Sequence, residues 1–207
     1  MYIRIMIEKS IIRFFSVYAP QTGLPEPEKD KFYNDLLAQT AIIPAEEFLI
    51  ICGDLNGHVG KDTAGVDNVH GRNGFGDRNA DGFRLLDFCL AAGLSVTNTF
   101  FSKQELITYQ SGPSVSQIDF ILIPRNHLKL VRNVTVINGE ECTPQHKLII
   151  GDIMLNAGRL IHRTFPRRRR VWKLKDPAFS MKPFVNVLTL NCKMLSLQMI
   201  LMSLGEY

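Results

Sequence analysis

Along the chain, apolar residues gather into short blocks separated by polar and glycine-rich stretches. Ile11–Tyr18 has the length and composition of a buried strand, and Ile3–Ile7 those of its hairpin partner. Pro20-Gln21-Thr22-Gly23 ends the run. Glu28–Thr40 reads as a helix, with Pro25 and Pro27 at its start and Phe32, Leu36 and Leu37 on one face. Phe48–Cys52 is continuously apolar and stops at Gly53, the pattern of a strand covered on both faces. Asp81–Ala92 reads as a second helix, N-capped by Asp81, with Phe83, Leu86 and Leu90 on one face and Gly93 at its C-cap. Leu94–Phe100, Gln104–Gln110, Ile118–Ile123, Val131–Ile137 and His146–Leu155 read as further strands. Short buried strands mixed with helices predict an α/β or α+β domain. The polar, glycine-rich stretch from Asn56 to Asn79 is long for a compact domain, so it is either functional or mobile.

Composition narrows the class. The chain has 207 residues, 45% hydrophobic and 21% charged, which excludes collagen, coiled coil and wholesale disorder. Its cysteines, Cys52, Cys89, Cys142 and Cys192, are scattered and form no CxxC, so a disulfide scaffold or zinc knuckle is not expected. They suit a reducing, intracellular setting, and the first fifteen residues lack the shape of a secretory signal. The net charge of +4 hides a split. Residues 1–156 hold 14 Lys and Arg against 18 Asp and Glu, whereas residues 157–207 hold 10 against 2. The asymmetry predicts a folded domain over 1–156 and a basic linker with an apolar tail over 157–207. Residues 184–204 are interrupted by Asn186, Asn191, Lys193 and Gln198, so they read as an amphipathic helix or a disordered tail, not a membrane span.

Four places carry candidate chemistry. Gly53-Asp54-Leu55-Asn56 follows a buried strand directly; strand alternation would point Asp54 and Asn56 the same way. The pair reads either as a turn or as a carboxylate that holds a metal or a water beside an amide that donates to a phosphate oxygen. Tyr18, before Ala19-Pro20, is either an aromatic packing residue or a hydroxyl at a site rim. Asp119 lies inside the apolar run Ile118–Leu122, where a carboxylate is costly unless paired. His146, ahead of the apolar run that begins at Leu148, is the expected partner. Asp119 accepting from one ring nitrogen would fix the tautomer and raise the basicity of the other.

VYAP, GDLN, TYQSG with SQIDFIL, and QHKL occur here in the order and spacing of the endonuclease/exonuclease/phosphatase family. The chain resembles that family from about Ile11 to Pro177, and in particular the endonuclease domain of RTE-type LINE retrotransposons. The resemblance implies a four-layer α/β sandwich and Mg²⁺-dependent hydrolysis of a DNA phosphodiester. It implies that Tyr18 contacts the scissile phosphate and that Asp54 positions or activates the attacking water. Asn56 would stabilise phosphate charge, Asp119 would orient the histidine, and His146 would act at the phosphoryl centre. Thr108 would lie near the nucleic acid. The expected partner is DNA, with no small-molecule substrate and no membrane, and the nucleus is a plausible location.

Two departures qualify the likeness. The family's early strands and its metal-binding glutamate have no counterpart in Met1–Phe15, whose single acid is Glu8. One sheet is therefore expected to lack its first strands, leaving unpaired edges prone to aggregation. The family's Ser-Asp-His reads Pro144-Gln145-His146, which replaces a carboxylate by a neutral amide. Both changes weaken the expected hold on Mg²⁺, and no residue is assigned as its ligand from sequence. The alternative function is a catalytically inactive remnant that binds nucleic acid through Arg167, Arg168, Arg169 and Arg170. The same basic stretch also reads as a solvated linker or a nuclear-import signal.

Overall fold

The computed structural model describes residues 1–7, 10–141 and 145–154, together with the backbone of two strands at 187–191 and 196–201. The basic stretch that contains Arg167–Arg170 lies outside the described residues.

The first sheet grows from a hairpin of β1 (Tyr2–Ile7) and β2 (Ser10–Tyr18), which pair antiparallel as the sequence predicts. The chain then crosses through α1 (Glu26–Ala41) and returns as β3 (Phe48–Asp54), parallel to β2 and buried at every position. Next comes the 56–79 stretch, which has no regular structure but is densely tied. Gly71 N donates to Thr99 Oγ1, Asn73 Nδ2 to the carbonyls of Gly71 and Thr99, and Phe75 N to Gln117 Oε1. These bonds tie the segment to the 3-10 turn over Thr97–Phe100 and to Gln117.

Helix α2 (Ala80–Ala92) starts one residue earlier than expected, because Asn79 and not Asp81 is the N-cap. The Asn79 side chain accepts from the amides of Gly82 and His58, so one amide caps the helix and holds the loop. Asp81 instead sits buried against Lys29 of α1 at 3.0 Å. The buried face of α2 is Leu85, Leu86, Phe88 and Cys89, whereas Phe83 is exposed under the Arg78 guanidinium. Gly93 ends the helix in the left-handed conformation, as expected.

The later strands are shorter and differently placed than the apolar runs suggest. Leu94–Phe100 splits into β4 (Leu94–Val96) and a 3-10 turn over Thr97–Phe100. Of Gln104–Gln110 only the end is extended, as β5 (Tyr109–Ser111), which forms a small hairpin with β6 (Ser114–Ser116). β7 (Asp119–Pro124) pairs with β3 and β4 and completes a five-stranded sheet in the order β1-β2-β3-β7-β4. β8 (Val131–Glu141) and β9 (Lys147–Met154) begin the second sheet, which runs β10 (Val187–Asn191), β11 (Ser196–Leu201), β9, β8. The apolar tail thus contributes strands where a helix or disorder was expected; its alternation suits addition to the β9 edge.

Two apolar cores follow from the pleat of the first sheet. Phe15, Val17, Leu49, Ile51, Phe120 and Leu122 face α1 and α2. Ile12, Phe14, Ile50, Cys52, Ile121 and Ile123 face the opposite way, onto Val134, Val136, Ile149 and Ile153 of the second sheet. The described residues therefore form three layers, helices on sheet on sheet.

Candidate active site

The sheet register assembles the site. Tyr18 of β2 is opposite Asp54 of β3, and Asp54 is opposite Asp119 of β7. Each is an even step from residues that face the second sheet (Phe14, Ile50) or, for Asp119, from Ile121. Three polar side chains thus stand in a row across three strands, at one end of the sheet, on the face turned toward β9. His146, just ahead of β9, closes the row from the second sheet. Its Nδ1 donates to the Asp119 carboxylate, at 3.0 Å from Oδ2 and 3.2 Å from Oδ1. The pairing inferred from an isolated strand carboxylate and a histidine is therefore present.

Two backbone features make this end of the sheet open. Gly53 has φ +149, and a Cβ there would meet the Val17 carbonyl oxygen at 1.8 Å, so β2 and β3 approach closely only because this residue is glycine. Asn56 has φ +48, a left-handed conformation that asparagine tolerates, and its amide donates to Asp54 Oδ1 at 2.9 Å. The strand ends at Asp54 and turns, so alternation does not govern Asn56. The turn itself brings Asn56 back beside Asp54, and its Nδ2 donates to the Ala19 carbonyl at 2.8 Å.

Together these residues line a cleft of about 490 Å³ with Tyr18, Gln21, His58, Tyr109, Gln145 and His146 on its walls. The Tyr18 hydroxyl accepts from Gln21 Nε2 at 3.0 Å. Gln145 is exposed at the mouth, its Oε1 accepting from the Tyr109 hydroxyl at 3.3 Å. Thr108 is fully buried; its hydroxyl accepts from the amides of Ile118 and Asp119 at 3.0 and 3.1 Å and holds the start of β7 in place. Asn98, which sequence reasoning passed over, does the same from the other side. It donates to the Asp119 carbonyl and accepts from Ile121 N. Its signal was present in principle, since a carboxamide between the apolar runs of β4 and β7 needs a backbone partner when buried. Tyr109 and His58 were likewise missed, because neither hairpin pairing nor loop course is visible in composition.

The electrostatics follow from burial. Burial, reinforced by the negative charge of Asp119, pushes the Asp54 carboxyl up to about 7. Burial alone would lower the His146 imidazole, but the hydrogen bond and charge of Asp119 outweigh it and leave His146 above its ordinary value. The site thus stores a carboxyl poised near neutrality beside an imidazole biased toward its charged form.

Hard oxygen donors are present for a divalent cation, although among the described residues no group of three or more His, Cys, Asp or Glu gathers to cage one. Asp54, whose pKa is raised by burial and by the charge of Asp119, and the Asn56 carboxamide oxygen fit the two-donor set that Mg²⁺ accepts when waters and substrate phosphate supply the rest.

The fold is shared with solved structures. The endonuclease domain of TRAS1, a telomere-specific non-LTR retrotransposon, superposes with a TM-score of 0.52 at 18% identity, covering 70% of this chain and 57% of that one. The Neisseria 3′ phosphatase NExo, solved with product DNA hairpin, gives a TM-score of 0.53 at 13% identity over 74% of this chain and 65% of its own. This is the endonuclease/exonuclease/phosphatase fold. Among curated proteins, craniofacial development protein 2 of Bos taurus is 34% identical over 156 residues, and that of Tragulus javanicus 32% identical over 171. The matches cover 73% and 81% of this chain but only 26% and 29% of those proteins, so the chain corresponds to less than a third of the relatives it matches. No family model matches the chain.

Proposed function

We propose that the cleft hydrolyses a phosphodiester of DNA with the help of Mg²⁺, as a retrotransposon-type endonuclease domain of the LINE class, and that its hold on the metal is weak. The observation that carries this reading is His146, held from behind by the buried Asp119 carboxylate, in one cleft with Asp54, Asn56 and Tyr18. Asp54, ionised above about pH 7, accepts hydrogen bonds from an attacking water and orients it. Asn56 and Tyr18 contact phosphate oxygens. His146, held at Nδ1 by Asp119, presents its other nitrogen to the phosphoryl group, where its positive charge offsets charge that develops during transfer. Asp54 and Asn56 would hold Mg²⁺, which supplies Lewis-acid neutralisation of phosphate charge when bound. Gln145 brings no charge to this set, which supports a reduced rate. DNA as substrate makes the nucleus the expected place of work. Among the described residues no helix is long and apolar enough to cross a membrane.

The test is incubation of the purified full chain with supercoiled plasmid in Mg²⁺ and in EDTA, beside His146→Ala. The reading expects slow nicking that needs Mg²⁺ and is lost in the variant. The alternative, a non-catalytic nucleic-acid binder acting through Arg167–Arg170, rests on the same neutral Gln145 and on the basic composition of that stretch. It expects no nicking, with salt-sensitive DNA binding that His146→Ala leaves unchanged.

A further inference from the structure

Two imidazoles line the cleft, His146 and His58, and among the described residues no lysine or arginine joins them. A polyanionic strand lying there must therefore be held by imidazole, hydroxyl and amide donors. Several of those donors already have protein partners. His146 Nδ1 is on Asp119, Gln21 Nε2 donates to the Tyr18 hydroxyl, Asn56 Nδ2 to the Ala19 carbonyl, and Gln145 Nε2 to Ser111 Oγ. His58 differs. Among the described residues its side chain makes no hydrogen bond or ion pair, and it is half-buried with neither ring nitrogen sealed from solvent.

The backbone of His58, by contrast, is fixed. His58 N donates to Asn79 Oδ1 at 3.0 Å, and the His58 carbonyl accepts from Asn79 N at 3.1 Å. The loop lies so close on the first turn of α2 that a Cβ at Gly82 would meet the His58 carbonyl oxygen at 1.8 Å, and one at Gly57 the Asp81 carbonyl oxygen at 2.8 Å. An unpartnered side chain on so constrained a backbone is preorganised for a ligand, since little backbone freedom remains to be lost on binding. His58 is carried by this loop and stands outside the row of Tyr18, Asp54 and Asp119, so it is offset from the reacting group. The cleft, about 490 Å³, has room for more than the scissile phosphate. We propose that His58 is a substrate-binding residue that donates an imidazole N–H to a DNA phosphate beside the one cleaved. The claim deepens the hydrolytic reading and rests on it for its effect on turnover, but the contact itself is measurable without any activity.

The experiment compares the full chain with His58→Ala, which removes the donor, and with His58→Asn and His58→Gln, which keep an amide N–H near the place of one ring nitrogen or the other. Four readouts are taken. They are thermal unfolding, the NMR shifts of the His58 ring protons when a short DNA duplex is added in EDTA, kcat and KM for Mg²⁺-dependent nicking of DNA, and Mg²⁺-dependent hydrolysis of bis(para-nitrophenyl) phosphate, a diester with a single phosphate. The duplex is expected to move the His58 resonances. His58→Ala is expected to raise KM for DNA about threefold to thirtyfold with kcat changed by less than about threefold, as loss of a ground-state contact does. Its kcat/KM on the small diester should stay within about twofold of wild type, because that substrate has no second phosphate to lose. At least one amide variant should recover most of the lost affinity. His58 resonances unmoved by DNA in the wild-type chain would overturn the proposal, whether or not any variant folds. So would a wild-type KM in folded His58→Ala, two amide variants no better than alanine, or an equal loss on DNA and on the small diester, which is what damage to the reacting centre gives. If the wild-type chain does not nick at all, the hydrolytic reading falls by itself, and the resonances still decide whether His58 meets DNA.

Discussion

At the residue scale, the site depends on groups held away from their solution behaviour. Asp54 is raised from 3.8 to about 7 in the folded chain, burial being the larger cause and Asp119 the second. The folded state therefore keeps a proton that the unfolded state gives up, and this group's contribution to stability declines as pH rises from about 4 to about 7. His146, raised above its ordinary 6.5, contributes stability that is complete below that value and is lost as pH rises through the folded one. Both signs agree, so the metal-free chain should melt at a lower temperature at pH 8 than at pH 5, and Mg²⁺ should recover part of the difference at pH 8 only; a scanning fluorimetry series checks this. Asp54→Asn keeps an oxygen for the Asn56 amide and removes the buried charge. It should abolish cleavage without lowering the melting temperature at pH 8, a combination that mere damage to the fold does not give. Gly53→Ala makes the opposite case: its Cβ would lie 1.8 Å from the Val17 carbonyl, and a loss of more than about 3 kcal/mol is expected by urea unfolding.

At the element scale, the site is a product of register. VYAP, GDLN, QIDF and QHK are far apart in sequence, and their chemistry was legible because Asp119 stood isolated among apolar residues and His146 preceded an apolar run. Legibility ended where pairing partners decide the outcome. That Tyr18, Asp54 and Asp119 stand opposite one another follows from strand alignment, which no single segment encodes. The cap of α2 shows the same limit. Asp81 and Asn79 are both good capping residues, and tertiary pairing of Asp81 with Lys29 left the role to Asn79. Asn79→Ala should cost about 1 kcal/mol or somewhat more, since the same side chain also holds the His58 amide. Its effect should extend to the cleft, because His58 lies on the cleft wall; hydrogen exchange at His58 and Gly82 together would show the coupling.

For the whole molecule, two described sheets meet over one apolar core and place the cleft at their common end. Among the described residues, β1 is an edge strand of the first sheet and leaves Tyr2, Ile3 and Met6 exposed. Unpaired apolar edges associate, so Met6→Lys should raise the concentration at which the chain stays monomeric, as light scattering would report. The basic composition of residues 157–207 was plain from sequence, as was the fold class, because charge and periodicity are local properties. Strand addition at β10 and β11 was not, since whether an interrupted apolar tail pairs with an edge is settled by the edge. The central claim is that Asp54, Asp119 and His146 form a metal-assisted phosphodiesterase site. Single-turnover nicking of supercoiled plasmid in Mg²⁺ from pH 5 to pH 9, by the full chain and by Asp54→Asn, tests it most directly. The account predicts wild-type nicking that needs Mg²⁺ and vanishes in the variant throughout that range. Equal rates for the two proteins across that range, or nicking that persists in EDTA, would contradict it.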